Sequence, residues 1–231
     1  MKRLVLVAVL AAAVAAAVGA APAGATTECR GLQVCVSIAG PWVVVPAGTP
    51  RQEVEFQLDC PSRFIVGGLD AQLTDPRIAL RFDGKLGAPV TPGVTTSTGA
   101  VFRAVFTGPS GKTPSFQPRL GCIPAGGGGG GIPTVRRLYP PTQATTRHVR
   151  TVDLHPGVSH VTARCPAGAL LVSGAHAVGF YSPLPPSPAL VNAVRATHVL
   201  TRSAVVATAH AGRLQGVETV LQVAAVCAGG R

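Results

Sequence analysis

Acidic residues are scarce in this 231-residue chain, with 9 Asp and Glu against 20 Lys and Arg. A glycosidase needs a carboxylate pair, and by count alone Asp70 and Asp75 are the candidates; "TDPR" at Thr74 reads instead as a turn. Aromatic residues are also few. One Trp and two Tyr make no exposed platform for stacking sugars, and Trp42, which opens a Val run, reads as core. Neither C-x-x-C nor H-x-x-x-H occurs, so zinc has no local signature. The G-x-S-x-G elbow of serine hydrolases is missing too. Ser173, in "LVSGAH", is the best-placed serine, but Asp153 and Glu218 are the only acids of the second half, and a His176 nearby in sequence is not triad geometry.

Long apolar runs are confined to the start. Lys2 and Arg3 precede an Ala/Val/Leu stretch from Leu4 to Ala21, closed by Ala23-Gly24-Ala25, the layout of a secretory signal. Cleavage before Thr26 leaves 206 residues with no second stretch long enough to span a membrane. The expected location is secreted: extracellular, cell wall or periplasm. With 28 Gly and 21 Pro and no long amphipathic helix, the remainder favours strands and turns.

What is present is a cysteine framework. Cys29, Cys35, Cys60, Cys122, Cys165 and Cys227 all follow the leader, an even number in an exported chain. Cys60 to Cys122 and Cys165 to Cys227 are equal steps of 62, and the two pairs are offset by 105. Pro61 and Pro166, Ala104 and Ala209, Gly111 and Gly216, and Gln117 and Gln222 share that offset, while Gly67-Gly68 matches Ser173-Gly174 with a shift of one. Duplication accounts for the pattern. It predicts the bonds Cys60–Cys122 and Cys165–Cys227, with Cys29–Cys35 closing a short loop.

In "VEFQLDC", Val54, Phe56, Leu58 and Cys60 alternate with polar residues, as in a half-buried strand. "SFQPRLGC" carries Cys122 inward, and Pro118 there suggests an edge strand. Val217 to Cys227 alternates likewise. Further strands are expected at Val43 to Val45, Ile78 to Phe82, Val101 to Phe106, Val191 to Leu200 and Val205 to His210. The fold class is therefore all-β, two tandem small sandwich or barrel-like domains, each closed by a disulfide. The first domain covers 26–124, a Gly/Pro-rich linker with polyglycine Gly126 to Gly131 covers 125–146, and the second domain covers 147–231. The linker lacks the strand, helix and Lys-Ser/Thr pair of a phosphate loop.

The pattern C-P-x-G, an apolar run, a Gly pair and A-V-C-A resembles repeats in uncharacterised secreted proteins of high-GC bacteria. Cys165-Pro166-Ala167-Gly168, Ser173-Gly174 and Ala225-Val226-Cys227-Ala228 carry it; the first copy departs at Arg63 and at Gly121-Cys122-Ile123. The resemblance implies a disulfide-closed β-domain and brings no activity or site residues.

Residues 26 to 125 hold 9 basic and 7 acidic groups, and residues 126 to 231 hold 9 and 2. The second half could dock on a polyanion, although its arginines are scattered and only Arg136-Arg137 are adjacent. All six histidines (His148, His155, His160, His176, His198, His210) lie there as well, at spacings that suggest no metal site. No cofactor and no catalytic residue is expected. The sequence reads as an exported, non-catalytic binding or structural module, its partner a protein or an anionic cell-wall polymer. The alternatives are a secreted hydrolase, or a protease inhibitor presenting "TPGVTTSTG" or the stiff "YSPLPPSP" loop.

Overall fold

The computed structural model describes residues 27–48, 51–84, 97–125 and 145–229. The leader 1–25, nearly all of the linker and most of the "TPGVTTSTG" loop lie outside the described residues. The fold is all-β. Its strands are β1 (Val36–Ala39), β2 (Trp42–Val44), β3 (Glu53–Asp59), β4 (Phe64–Leu73), β5 (Ile78–Gly84), β6 (Gly99–Phe106), β7 (Ser115–Pro124), β8 (Thr145–Asp153), β9 (Gly157–Arg164), β10 (Ala169–Tyr181), β11 (Val194–Leu200), β12 (Ala204–Ala211) and β13 (Glu218–Gly229). A 3-10 turn at Thr27–Cys29 and one short helix, α1 (Pro188–Asn192), complete the described elements.

Two three-stranded sheets, β3-β6-β5 and β11-β12-β9, accompany one seven-stranded sheet. In the large sheet the order runs β1-β7-β2-β10-β13-β8, with β4 also on β7. The three disulfides are Cys29–Cys35, Cys60–Cys122 and Cys165–Cys227, as the spacing predicts. By loop-closure entropy each long bridge stabilises by ~4 kcal/mol.

The ladders of the two halves coincide at an offset of 105. Asp59 pairs with Gly99 and Arg164 with Ala204; Phe64 pairs with Pro124 and Ala169 with Gly229. Both long hairpins carry a register shift at the same place, between Val66 and Gly68 in one and between Leu171 and Ser173 in the other. Gly68 therefore stands where Ser173 does, so no shift of one is needed. Arg63, at φ 70°, occupies the left-handed turn that Gly168 makes in the second half at φ 79°.

The alternation in "VEFQLDC" is observed: Val54, Phe56 and Leu58 enter one core with Ala100, Phe102, Ala104, Phe116 and Cys122. Phe102 anchors it, edge-on to Phe82 at 5.2 Å and stacked near Phe116 at 6.4 Å. The second core uses smaller side chains: Val205, Ala207, Ala209 and Ala211 meet Leu221, Val223, Ala225 and Cys227. Trp42 is buried, as expected, beside the seam where β2 pairs with β10.

Two local expectations are corrected. Strand β7 is not an edge, because β4 pairs on one side and β1 and β2 on the other. Pro118 is tolerated there because its carbonyl accepts from Gly40 N–H at 2.8 Å, in the break between β1 and β2. In an antiparallel strand a residue's N–H and C=O face the same neighbour, so the missing donor falls at that break. Strand β11 starts at Val194 and not at Val191. Ser187 caps α1 by accepting from Leu190 N–H, and Pro188 opens it, the start signal that the prolines of "YSPLPPSP" masked.

Candidate functional site

The halves meet through more than the β2·β10 seam. The outer face of β3-β6-β5 carries Glu53, Glu55, Asp83 and Arg103, alternating with core residues. Arg103 pairs with Glu53 at 3.3 Å, Glu55 at 3.1 Å and Asp83 at 2.7 Å. Arg147 of β8 reaches Glu55 at 2.5 Å, its side chain only 3% exposed. Beside it Gln222 of β13 accepts from Gln57 N–H at 2.6 Å and donates to Gln57 C=O at 3.0 Å, and its Nε2 also donates to Thr151 Oγ1 at 3.1 Å. The second half therefore covers the polar face of β3, which period-two alternation alone assigns to water.

Where β3, β8 and β9 come together they border a cleft of about 970 Å³, lined among others by Gln57, Asp59, Arg147, His148, Arg150, Thr151, Thr162, Arg164 and Tyr181. That volume is at the upper end of ligand-site sizes. Among the described residues all three strands are terminal in their sheets. Arg147 is held by Glu55 and carries two further buried donors, Nε and Nη2, without partners among the described residues. Arg150 and Arg164 are exposed and make no ion pair among the described residues. Asp59 is the one acid on the lining, and Gln57 Nε2 donates to it at 2.8 Å. Burial, reinforced by Glu218 and Asp153, pushes the Tyr181 hydroxyl up from its usual range, so it remains a neutral donor.

The acids of the first half are spent internally. Beyond the Arg103 group, Ser37 donates to Glu28, Thr27 donates to Asp70, and Asp75 is paired with Arg77 at 2.6 Å and Lys112 at 3.6 Å. The Arg77 side chain and backbone hold the Asp75 carboxyl well below the usual carboxylate range, which suits a turn anchor and removes it as a general acid. The second half carries 9 basic against 2 acidic residues, and the cleft is lined by part of that excess.

A second feature joins residues that local spacing kept apart. His176 on β10 and His198 on β11 face each other with Nδ1 atoms 2.7 Å apart, and His176 Nε2 lies 3.2 Å from Ala196 C=O. The contacts set the protons: Nε2–H of His176 donates to the carbonyl, and His198 Nδ1–H donates to the Nδ1 of His176. Burial, with His198 adding repulsion, lowers His176 to about 4; burial lowers His198 as well. The pair lines a separate cavity of about 710 Å³ with Val44, Val54, Glu53, Phe180 and Arg195.

Ser173 follows the bulge in β10, paired with Val226, and lines a small cavity with Asp83, Arg103 and Arg147. Its sequence neighbour His176 is engaged elsewhere, so the structure does not assemble a Ser-His arrangement from them. No group of three His, Cys, Asp or Glu suited to a metal occurs among the described residues. The three disulfides fit an oxidising compartment, and no described helix is long and apolar enough to cross a membrane. Comparison of the chain with protein-family models, with curated proteins and with solved structures finds no match.

Proposed function

We propose that the protein is an exported, non-catalytic binding module built from a duplicated β-sandwich, and that it holds an anionic partner in the cleft between its halves. The leader-like N-terminus and the three disulfides support export. The repeated registers and bulge support duplication. The observation that carries the binding reading is the cleft itself: its lining includes Arg150, Arg164 and His148 against a single acid, Asp59, which accepts from Gln57. Guanidinium groups offer paired donors in a fixed plane, the geometry that suits carboxylate and phosphate oxygens.

The test is retention of the full exported chain on polyanionic matrices, polyglutamate and polyphosphate, against the double variant Arg150→Glu with Arg164→Glu. Binding to at least one matrix, lost in the variant and weakened by salt, is expected. Equal retention of both proteins would reject the cleft as the site.

A further inference from the structure

The open edges around the cleft point to the form of the ligand. In an antiparallel pair the residues alternate between those that exchange backbone hydrogen bonds with the partner and those whose N–H and C=O point the opposite way. Leu154 N–H donates to Thr219 C=O at 2.7 Å, just past the end of the β8·β13 ladder. Counting back by twos, Val152, Arg150 and His148 face β13, and the peptide groups of Thr151, Val149 and Arg147 face away from it. Cys165 N–H donates to Ser203 C=O at 2.7 Å, so by the same count Arg164 and Thr162 turn their peptide groups away from β12. Arg147, Val149, Thr151, Thr162 and Arg164 all line the cleft.

The first half shows what such an edge accepts. Cys60 N–H donates to Thr98 C=O, which turns the peptide of Gln57 outward from β6, and Gln222 meets both of its groups with one side-chain amide. Gln57 in the first half and Thr162 in the second are equivalent by the offset of 105. One edge is docked within the molecule; its equivalent opens on the cleft.

We infer that the ligand is an extended acidic peptide segment that adds to the edge of β8 left unpaired among the described residues, as an eighth strand of the large sheet, its carboxylates met by Arg150 and Arg164. Main-chain pairing with Val149 and Thr151 supplies register and affinity, and the two guanidinium groups select acidic side chains. A polyphosphate would meet the same arginines and leave the strand edge unused. This inference rests on the reading of the cleft as the binding site.

The experiment uses the full exported chain and a blocked hexapeptide of alternating Glu and Val, with two versions N-methylated at alternate positions in the two registers, and polyphosphate as the competing anion. Binding of the parent peptide is expected to slow amide exchange at Val149 and Thr151 at least tenfold. One methylated register loses affinity at least tenfold and the other retains it, because only one set of peptide N–H groups faces β8. Protection at Thr162 and Arg164 in place of β8 would overturn the placement on β8, and equal binding by all three peptides or binding of polyphosphate alone would overturn the peptide assignment; each leaves an anion-binding cleft. Failure of both peptide and polyphosphate to bind would overturn the cleft reading as well.

Discussion

Gln222 holds the backbone of Gln57 from both sides of its peptide groups, with an N–H to Oε1 contact of 2.6 Å and an Nε2 to carbonyl contact of 3.0 Å across 165 residues. One side chain thus does for β3 what a neighbouring strand would do. Both residues are buried, at 6% and 4% exposure, so neither peptide group has water as a substitute. Gln222→Leu strands both and is expected to cost about 2 to 4 kcal/mol in urea unfolding. Gln222→Glu keeps the acceptor and removes the donor, and its loss is expected to be smaller only if the carboxyl is protonated.

The charged contact beside it is asymmetric. Among the described residues Glu55 has two partners, Arg103 and Arg147, whereas Arg147 has Glu55 alone for its charge. Glu55→Gln leaves a buried guanidinium uncompensated and is expected to cost about 3 to 5 kcal/mol. Arg147→Met, which removes the buried charge and leaves Glu55 with Arg103, is expected to cost less. Chemical denaturation of both variants gives the order, and the reverse order would contradict it.

Gly68 and Gly121 form a floor for the N-terminal turn. A Cβ on Gly68 would lie 1.8 Å from the Glu28 carbonyl oxygen, and one on Gly121 would lie 2.1 Å from it. Gly68→Ala must lift the Cys29–Cys35 loop off β4 and β7, which also uncovers the Glu28 carboxylate. The expected result is faster proteolysis before Val36 with Cys60–Cys122 still formed. Gly111→Ala, at φ 88° and with open space around it, is expected to cost only about 1 kcal/mol through its backbone.

The histidine pair gives a pH dependence of definite sign. His176 is held at about 4 in the folded chain against an ordinary value of 6.5, so the unfolded chain binds the proton more readily. Stability from this group is complete above about pH 6.5 and is lost as pH falls toward 4. The loss amounts to roughly 2 to 3 kcal/mol over that window. His176→Gln, which can still donate to Ala196, is expected to flatten the slope between pH 6.5 and 4 in denaturation curves.

Much of the framework was legible because it rests on short-range rules. Equal cysteine steps predicted the two long disulfides, and Val54, Phe56 and Leu58 announced their strand by alternation. Pro118 misled because the break between β1 and β2 that accommodates it lies far earlier in the chain, at Gly40. The site was less legible. Gln57 and Glu55 read as a solvent face, since nothing local says that the other half will cover them. His176 and His198 are 22 residues apart on different strands, beyond any spacing motif, and meet only because β10 and β11 face each other. The offset of 105 that made Gln117 and Gln222 equivalent was the one available signal for Gln222. Even so, it marks the position and not the contact, because Gln117 donates to Gly40 C=O at 3.1 Å within its own half.

The most direct test of the cleft is an amide-shift map of the full exported chain titrated with the acidic hexapeptide at low and at moderate salt. Shifts confined to Arg147 through Thr151, Thr162 to Arg164 and Tyr181, reduced by salt and absent in the Arg150→Glu with Arg164→Glu variant, are the result expected here. Shifts spread over Arg30, Arg202 and Arg213 to the same extent, or a map indifferent to the double variant, would contradict a built site and leave only diffuse attraction by a basic surface.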